Sequence, residues 1–189
     1  MNRREAISRV AWIMGGTIIG AELFADLACT PRAEKVNDLF DADQVAFMDE
    51  IAETILPETS TPGAKAAKVG SFMAVMVKDC YKKEDQQVFL KGLSELDDAC
   101  KKANGKKFME CNASQRTALL TKLDKEQREY QKKKKEEDPN HYFTMMKQLT
   151  LLGFFTSEVG ATKALRYVAI PGRFDGCAPY KKGDRAWAT

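Results

Sequence analysis

From Asp41 onward, apolar side chains recur three and four residues apart, the spacing that lines one face of an α-helix. Val45, Met48, Ala52 and Ile55 form the first stripe. Asp41 and Gln44 precede it in capping-box register, where the carboxylate accepts from a free amide and the Gln reaches back. Pro57 ends this helix, and the loop 58–63 closes on a Pro62-Gly63 turn signal. Val69, Phe72, Met73, Met76 and Cys80 predict a second helix over about 64–81. Phe89, Leu93, Leu96 and Cys100 predict a third over about 85–103, with Asn104-Gly105 as its left-handed cap. A fourth starts at Asn112, in capping-box register with Gln115, and carries Leu119, Leu120 and Leu123. Its continuation from Glu126 to Glu137 is almost wholly polar, which predicts an exposed, frayed end before Pro139. Phe143, Met146, Leu149 and Leu152 predict a fifth helix over about 140–152. No alternating strand pattern persists for five residues. The expected fold is therefore all-α, a bundle of about five helices closed by an irregular C-terminal segment.

Residues 1–29 carry a different pattern. Arg3, Arg4 and Arg9 form a basic start, and 10–21 is uncharged with Trp12, Ile13, Met14, Ile18 and Ile19. That run is too short to span a bilayer. Its modest hydrophobicity, broken by Gly15, Gly16 and Gly20, fits a twin-arginine export signal better than a Sec signal. Leu27-Ala28-Cys29 resembles the end of a lipoprotein cleavage site, which makes Cys29 a candidate for lipidation. Asp26 departs from that pattern, since such a site has an apolar residue there. Residues 30–40, with Pro31 and mixed charges, read as a tether to a helical domain over 41–189.

At 189 residues the chain accommodates one domain behind such a segment. Lys and Arg number 30 against 27 Asp and Glu, a balance that argues against a nucleic-acid binder. The one basic run, Lys132 to Lys135, is answered at once by Glu136, Glu137 and Asp138, as on a solvated helix face. His141 is the single histidine and has no partner at metal-ligand spacing, so a structural role is expected. Gly15-Gly16-Thr17-Ile18-Ile19-Gly20 lacks the dinucleotide fingerprint, and there is no Cys-x-x-Cys-His for a c-type haem. No catalytic, cofactor-binding or metal-ligating constellation emerges, and Asp97-Asp98 falls on a polar helix side.

Cys80, Cys100, Cys111 and Cys177 would all remain in an exported chain, where thiols tend to pair. Four cysteines permit three full pairings. Cys80 and Cys100 lie on the apolar stripes of consecutive helices joined by a short connection. This predicts a Cys80–Cys100 bridge and leaves Cys177 for a bond to a partner chain.

The stretch from Gly153 to Tyr167, continued by Pro171-Gly172-Arg173-Phe174-Asp175-Gly176-Cys177, is the least helix-like and the most aromatic. Such a segment either caps a core or lies against another protein. Phe154, Phe155, Tyr167, Arg173, Phe174, Cys177, Tyr180 and Trp187 are the candidate interface residues.

Several stretches resemble one family in their order and spacing. They are Ile55-Leu56-Pro57-Glu58-Thr59-Ser60-Thr61-Pro62-Gly63-Ala64, Asp79-Cys80-Tyr81, Phe89-Leu90-Lys91-Gly92-Leu93, Met146-Lys147-Gln148-Leu149-Thr150-Leu151 and Phe155-Thr156-Ser157-Glu158. The chain resembles the gluconate 2-dehydrogenase subunit 3 family over about 41–187. That resemblance implies a non-catalytic small, gamma-type subunit of a periplasmic FAD-dependent sugar or polyol dehydrogenase. It implies a flavoprotein large subunit of the glucose–methanol–choline oxidoreductase type, holding the FAD, and a c-type cytochrome as electron acceptor. It also implies that the small subunit assists folding, assembly and twin-arginine export of the large one, and meets the membrane only through its signal or a lipid anchor. Without the resemblance, the residues describe a free-standing periplasmic helical binding module or small lipoprotein.

Overall fold

The computed structural model describes residues 35–170, 172–173 and 175–188. Arg3, Arg4, Cys29 and Phe174 lie outside the described residues. From Lys35 on the chain is one compact unit. It is all-α: α1 (Ala42–Ile55), α2 (Val69–Cys80), α3 (Lys83–Asn104), α4 (Ala113–Lys133) and α5 (Tyr142–Phe155) follow one another, with no strand among the described residues.

The caps read from the sequence form as expected. Gln44 N donates to Asp41 Oδ1 at 2.8 Å, and Asp41 N donates to Gln44 Oε1 at 3.1 Å. Asn112 and Gln115 exchange the same pair of bonds at the head of α4. Gly105 closes α3 at φ 69°, a conformation that costs glycine little. His141 begins α5 as its N-cap, with Nδ1 accepting from Phe143 N at 3.2 Å.

Packing begins upstream of Asp41. Asn37 Oδ1 accepts from Leu39 N and Phe40 N, and its amide donates to Ala74 O of α2. These bonds seat Phe40 in the core edge-on to Phe89, ring centroids 6.1 Å apart.

Residues 64–81 are not one continuous helix. Ala64–Ala67 is a 3₁₀ turn, Lys68 is left-handed at φ 52°, and α2 starts only at Val69. The cause is α1, three of whose acidic side chains meet this segment. Asp49 Oδ1 accepts from Gly70 N at 2.7 Å, while Glu53 accepts from Glu58 N and Lys65 N, each at 2.8 Å. Carboxylates at a helix start satisfy amides that the helix itself cannot. Burial nevertheless pushes the Asp49 carboxyl above its ordinary range, with the Gly70 amide opposing that shift.

α4 stays helical through Lys133 rather than fraying after Leu123. Gln127 is buried, and its Oε1 accepts from Thr144 of α5 at 2.8 Å. Asp124 takes Lys147 at 2.5 Å and Arg128 at 2.6 Å. Lys147 holds the Asp124 carboxyl below its usual range, against a smaller opposing push from burial.

α5 is the axis of the bundle and touches each of the other four helices. Tyr142, Phe143, Met145, Met146, Leu149, Thr150, Gly153 and Phe154 are all buried along it. Burial pushes the Tyr142 hydroxyl up to about 12. α3 reaches this axis because Gly92 has no side chain: a Cβ there would overlap Tyr142 Cβ and Cγ and lie 2.7 Å from Cδ2. Gly92→Ala is expected to destabilise by about 1–3 kcal/mol through overpacking, despite the roughly 1 kcal/mol that Ala gains over Gly in a helix. Urea unfolding midpoints measure this; an unchanged or raised midpoint would show that α3 can move off α5 freely.

The structure does not bring Cys80 and Cys100 together. Cys80 continues the buried arc of Val69, Met73 and Val77, but it is the last residue of α2 and is exposed there. Its nearest sulfur is Met76 Sδ at 3.9 Å. Cys100 is fully buried, and its Sγ lies 3.3 Å from Cys111 Sγ.

Candidate partner interface

α5 carries more apolar surface than its core contacts use. Leu151, Leu152 and Phe155 stay 38–46% exposed on its last turns, while Phe154 beside them is buried. Phe154 is therefore a core residue, its ring edge-on to Phe155 at 5.2 Å.

The chain then turns sharply. Ser157 Oγ donates to Phe154 O at 2.7 Å and accepts from Gly160 N at 3.0 Å. A Cβ at Gly160 would overlap Phe154 O, so only glycine lets the backbone fold this closely onto the helix end. A π-turn, Gly160–Ala164, follows and closes with Leu165 N donating to Gly160 O at 2.9 Å.

Beyond it the C-terminal segment returns to its own start. Arg166 N donates to Ala186 O at 2.8 Å, and Ala188 N donates to Arg166 O at 3.1 Å. The Arg166 guanidinium lies over the Trp187 ring, 4.3 Å from its centroid. Arg185 Nη1 donates to Lys163 O at 2.8 Å and Thr162 O at 3.3 Å, taking up carbonyls at the end of the π-turn. Residues 167–184 thus lie between two chain segments that are fastened to each other.

Inside the loop, Lys181 N donates to Asp184 Oδ2 and Cys177 N to Asp175 Oδ1, while Gly172 and Gly183 take positive φ. The loop turns its large side chains outward. Ile170 is 83% exposed, Tyr180 76% and Tyr167 53%. Arg173 and Cys177 are exposed as well. The segment is also basic: Lys163, Arg166, Arg173, Lys181, Lys182 and Arg185 stand against Asp175 and Asp184.

Of the residues the sequence singled out, the structure leaves Phe155, Tyr167, Arg173, Cys177 and Tyr180 open to solvent. It buries Phe154 and leaves Trp187 52% exposed at the loop base, with its ring against the Arg166 guanidinium. Leu151 and Ile170 join the exposed set without having been singled out, and Leu152, expected on the inner stripe of this helix, is 46% exposed because the core-facing side passes through Gly153 and Phe154 instead. The signal for the two leucines was present: α5 is apolar on more sides than a single core-facing stripe requires.

Elsewhere the surface carries grooves of mixed lining, such as one with Phe47, Leu93 and Met109 beside Asp43 and Asp97. Another, between the start of α3 and the 134–140 loop, is lined by Lys82, Glu84, Asp85, Lys91, Lys134 and Glu136. No three His, Cys, Asp or Glu side chains among the described residues are grouped to hold a metal ion. No helix among them is long and apolar enough to cross a membrane.

The family model of gluconate 2-dehydrogenase subunit 3 matches residues 42–172. That match runs from the first residue of α1 through all five helices and the π-turn to the rising limb of the C-terminal loop. No curated protein and no solved structure matches the chain. The match takes in well over half of the chain, which therefore belongs to the gluconate 2-dehydrogenase subunit 3 family.

Proposed function

We propose that this chain is the non-catalytic small subunit of an exported FAD-dependent sugar or polyol dehydrogenase. Its work is to bind the flavoprotein large subunit, of the glucose–methanol–choline oxidoreductase type, and to support that subunit's folding, assembly and export. The FAD and the substrate belong to the large subunit, and a c-type cytochrome receives the electrons. The observation that carries the reading is the fastened loop at 167–184 in a member of a dehydrogenase-subunit family. Tyr167, Ile170 and Tyr180 are held in the open with no core beneath them to fill. Exposed aromatic and apolar side chains on a preformed frame bury large area at little cost in frozen torsions. The surrounding Lys and Arg side chains fit a partner face with an apolar centre and an acidic rim.

Export enters through Arg3 and Arg4. A twin-arginine signal marks cargo that crosses the membrane already folded, as a flavoprotein loaded with FAD in the cytoplasm must. A receptor reads the two arginines, and Lys keeps their charge but not the planar five-donor geometry.

The test is a tagged chain expressed in its own host. It is expected to co-purify with a flavoprotein showing FAD absorbance, with dehydrogenase activity in the periplasmic fraction. Changing Arg3 and Arg4 together to Lys is expected to leave that activity in the cytoplasm. A tagged chain that brings down no flavoprotein would make it a free-standing binding module. A partner that still reaches the periplasm with the double variant travels by its own signal.

A further inference from the structure

Two cysteines that no sequence motif joins are packed together by the fold. Cys100 lies in the last turns of α3, and Cys111 follows the 3₁₀ turn Phe108–Glu110. Cys100 is fully buried and Cys111 is 5% exposed. Their sulfurs are 3.3 Å apart, with Asn104 Nδ2 3.6 Å from Cys100 Sγ. The hairpin between them is held from several directions. Asp97 Oδ1 accepts from Phe108 N at 2.9 Å, and Arg116 donates to Phe108 O at 3.0 Å and Met109 O at 2.8 Å. These bonds, with Cys111 N donating to Phe108 O at 3.1 Å, hold the segment that leads into Cys111 against the end of α3.

We propose that Cys100 and Cys111 are a disulfide pair, closed when the chain folds in contact with a disulfide oxidant. The oxidant is a dithiol–disulfide oxidase of the exported compartment, or oxidised glutathione in vitro. One protein thiolate attacks the oxidant's sulfur and expels the first thiolate, leaving a mixed disulfide. The second protein thiolate then attacks the protein sulfur of that mixed disulfide and expels the other oxidant thiolate. Cys100 and Cys111 together lose two electrons and two protons, and the oxidant leaves as two thiols. Burial pushes the Cys100 thiol up, and its contact with Cys111 adds to this, so the thiolate is scarce once the hairpin has closed. The exchange therefore belongs to folding, before the pair is sealed. The bond fastens the hairpin that carries Phe108 and the carbonyls held by Arg116.

Its presence in the cell rests on the export reading, whereas its formation on refolding does not. The full chain, reduced and denatured, is refolded in a mixture of oxidised and reduced glutathione, alkylated and digested with trypsin. Cleavage at lysines and arginines separates peptide 92–101, with Cys100, from peptide 108–116, with Cys111. The two are expected to be recovered joined, and to separate on reduction. The oxidised protein is expected to melt about 5–10 °C above the reduced one, as for a loop of this length. The double variant Cys100→Ala/Cys111→Ala should lose the joined peptide and melt alike with and without reductant. Cys80→Ala should retain the joined peptide. Recovery of Cys100 and Cys111 as alkylated thiols, or of Cys100 joined to the Cys80 peptide, overturns the proposal. If the pair joins on refolding but is free in protein taken from cells, the pair stands and the export reading falls.

Discussion

A chain ending at Ile170 is expected to lose its partner and keep its helices. Truncation removes Arg173, Cys177 and Tyr180, and it also removes Arg185 and Trp187, which tie the loop to the π-turn. Tyr167 and Ile170 remain in the chain but lose their frame. Loss of two anchors, each of hot-spot size at about 2 kcal/mol or more, implies association weaker by about a thousandfold or more. The core should hardly notice. Among the described residues every buried core side chain lies at or before Phe154, so unfolding free energy should stay within about 1 kcal/mol of the full chain. Circular dichroism melts and binding to the purified flavoprotein measure the two effects separately. A finer variant separates anchor from frame. Arg185→Ala leaves Tyr167, Ile170, Tyr180 and Trp187 in place but removes the hydrogen bonds to Thr162 O and Lys163 O that fasten the loop base, so affinity should fall by about tenfold through lost preorganisation. Full affinity in the truncated chain would show that the tail serves only to cap the bundle.

The parts of this fold that were legible in the sequence are those decided within one turn of helix. Asp41 with Gln44, Asn112 with Gln115 and Gly105 all do locally what their spacing predicts. The misread parts depend on distant partners. Residues 64–68 stand apart from α2 where Glu53 of α1 takes the Lys65 amide and Leu56 O the Ala64 amide, while Asp49 takes the Gly70 amide at the start of α2 itself. The polar end of α4 holds because Gln127 and Asp124 find Thr144 and Lys147 on α5. Of the stripe read on α2, Val69 and Met73 are buried and Phe72 and Met76 pack against the core, while Cys80 is exposed because the helix ends there. The interface was legible as a region and less so as residues. An aromatic-rich tail announces contact, but only the return of Arg185 and Trp187 shows where the loop is fastened and which rings stand free.

Arg116→Ala is expected to cost the most stability of any single surface-to-core contact. Arg116 lies between α4, α1 and the 108–110 turn, with its side chain only 15% exposed. Its guanidinium pairs with Glu50 of α1, itself 18% exposed, and donates to the carbonyls of Phe108 and Met109. It also lies over the Phe108 ring, 5.3 Å from the centroid. Truncation leaves a half-buried carboxylate with only Lys65, which is well exposed, and strips two carbonyls of their donor. Removing one partner of a buried pair is costly mainly for what it strands, here about 2–4 kcal/mol after allowance for the remaining exposure. Arg116→Lys should recover only part of this, since one ammonium cannot reach a carboxylate and two carbonyls in the same fork.

The loss should depend on pH in a defined direction. Burial pushes the Glu50 carboxyl up, but Lys65 and Arg116 together more than offset it, and the group lies below its ordinary 4.5. A depressed carboxylate stabilises the fold above its unfolded pKa, and that contribution disappears as pH falls through the folded value. Asp49, raised by burial, works the opposite way and blunts the acid limb without removing it. In Arg116→Ala the Glu50 carboxyl should rise toward its unfolded value, so the variant should lose less stability on acidification than the wild type does. The difference between the two proteins should be large at pH 7 and shrink toward pH 3. Urea unfolding at both pH values measures this. A gap below about 1 kcal/mol at pH 7, or one that stays constant down to pH 3, would show that the Glu50–Arg116 pair carries little of the fold.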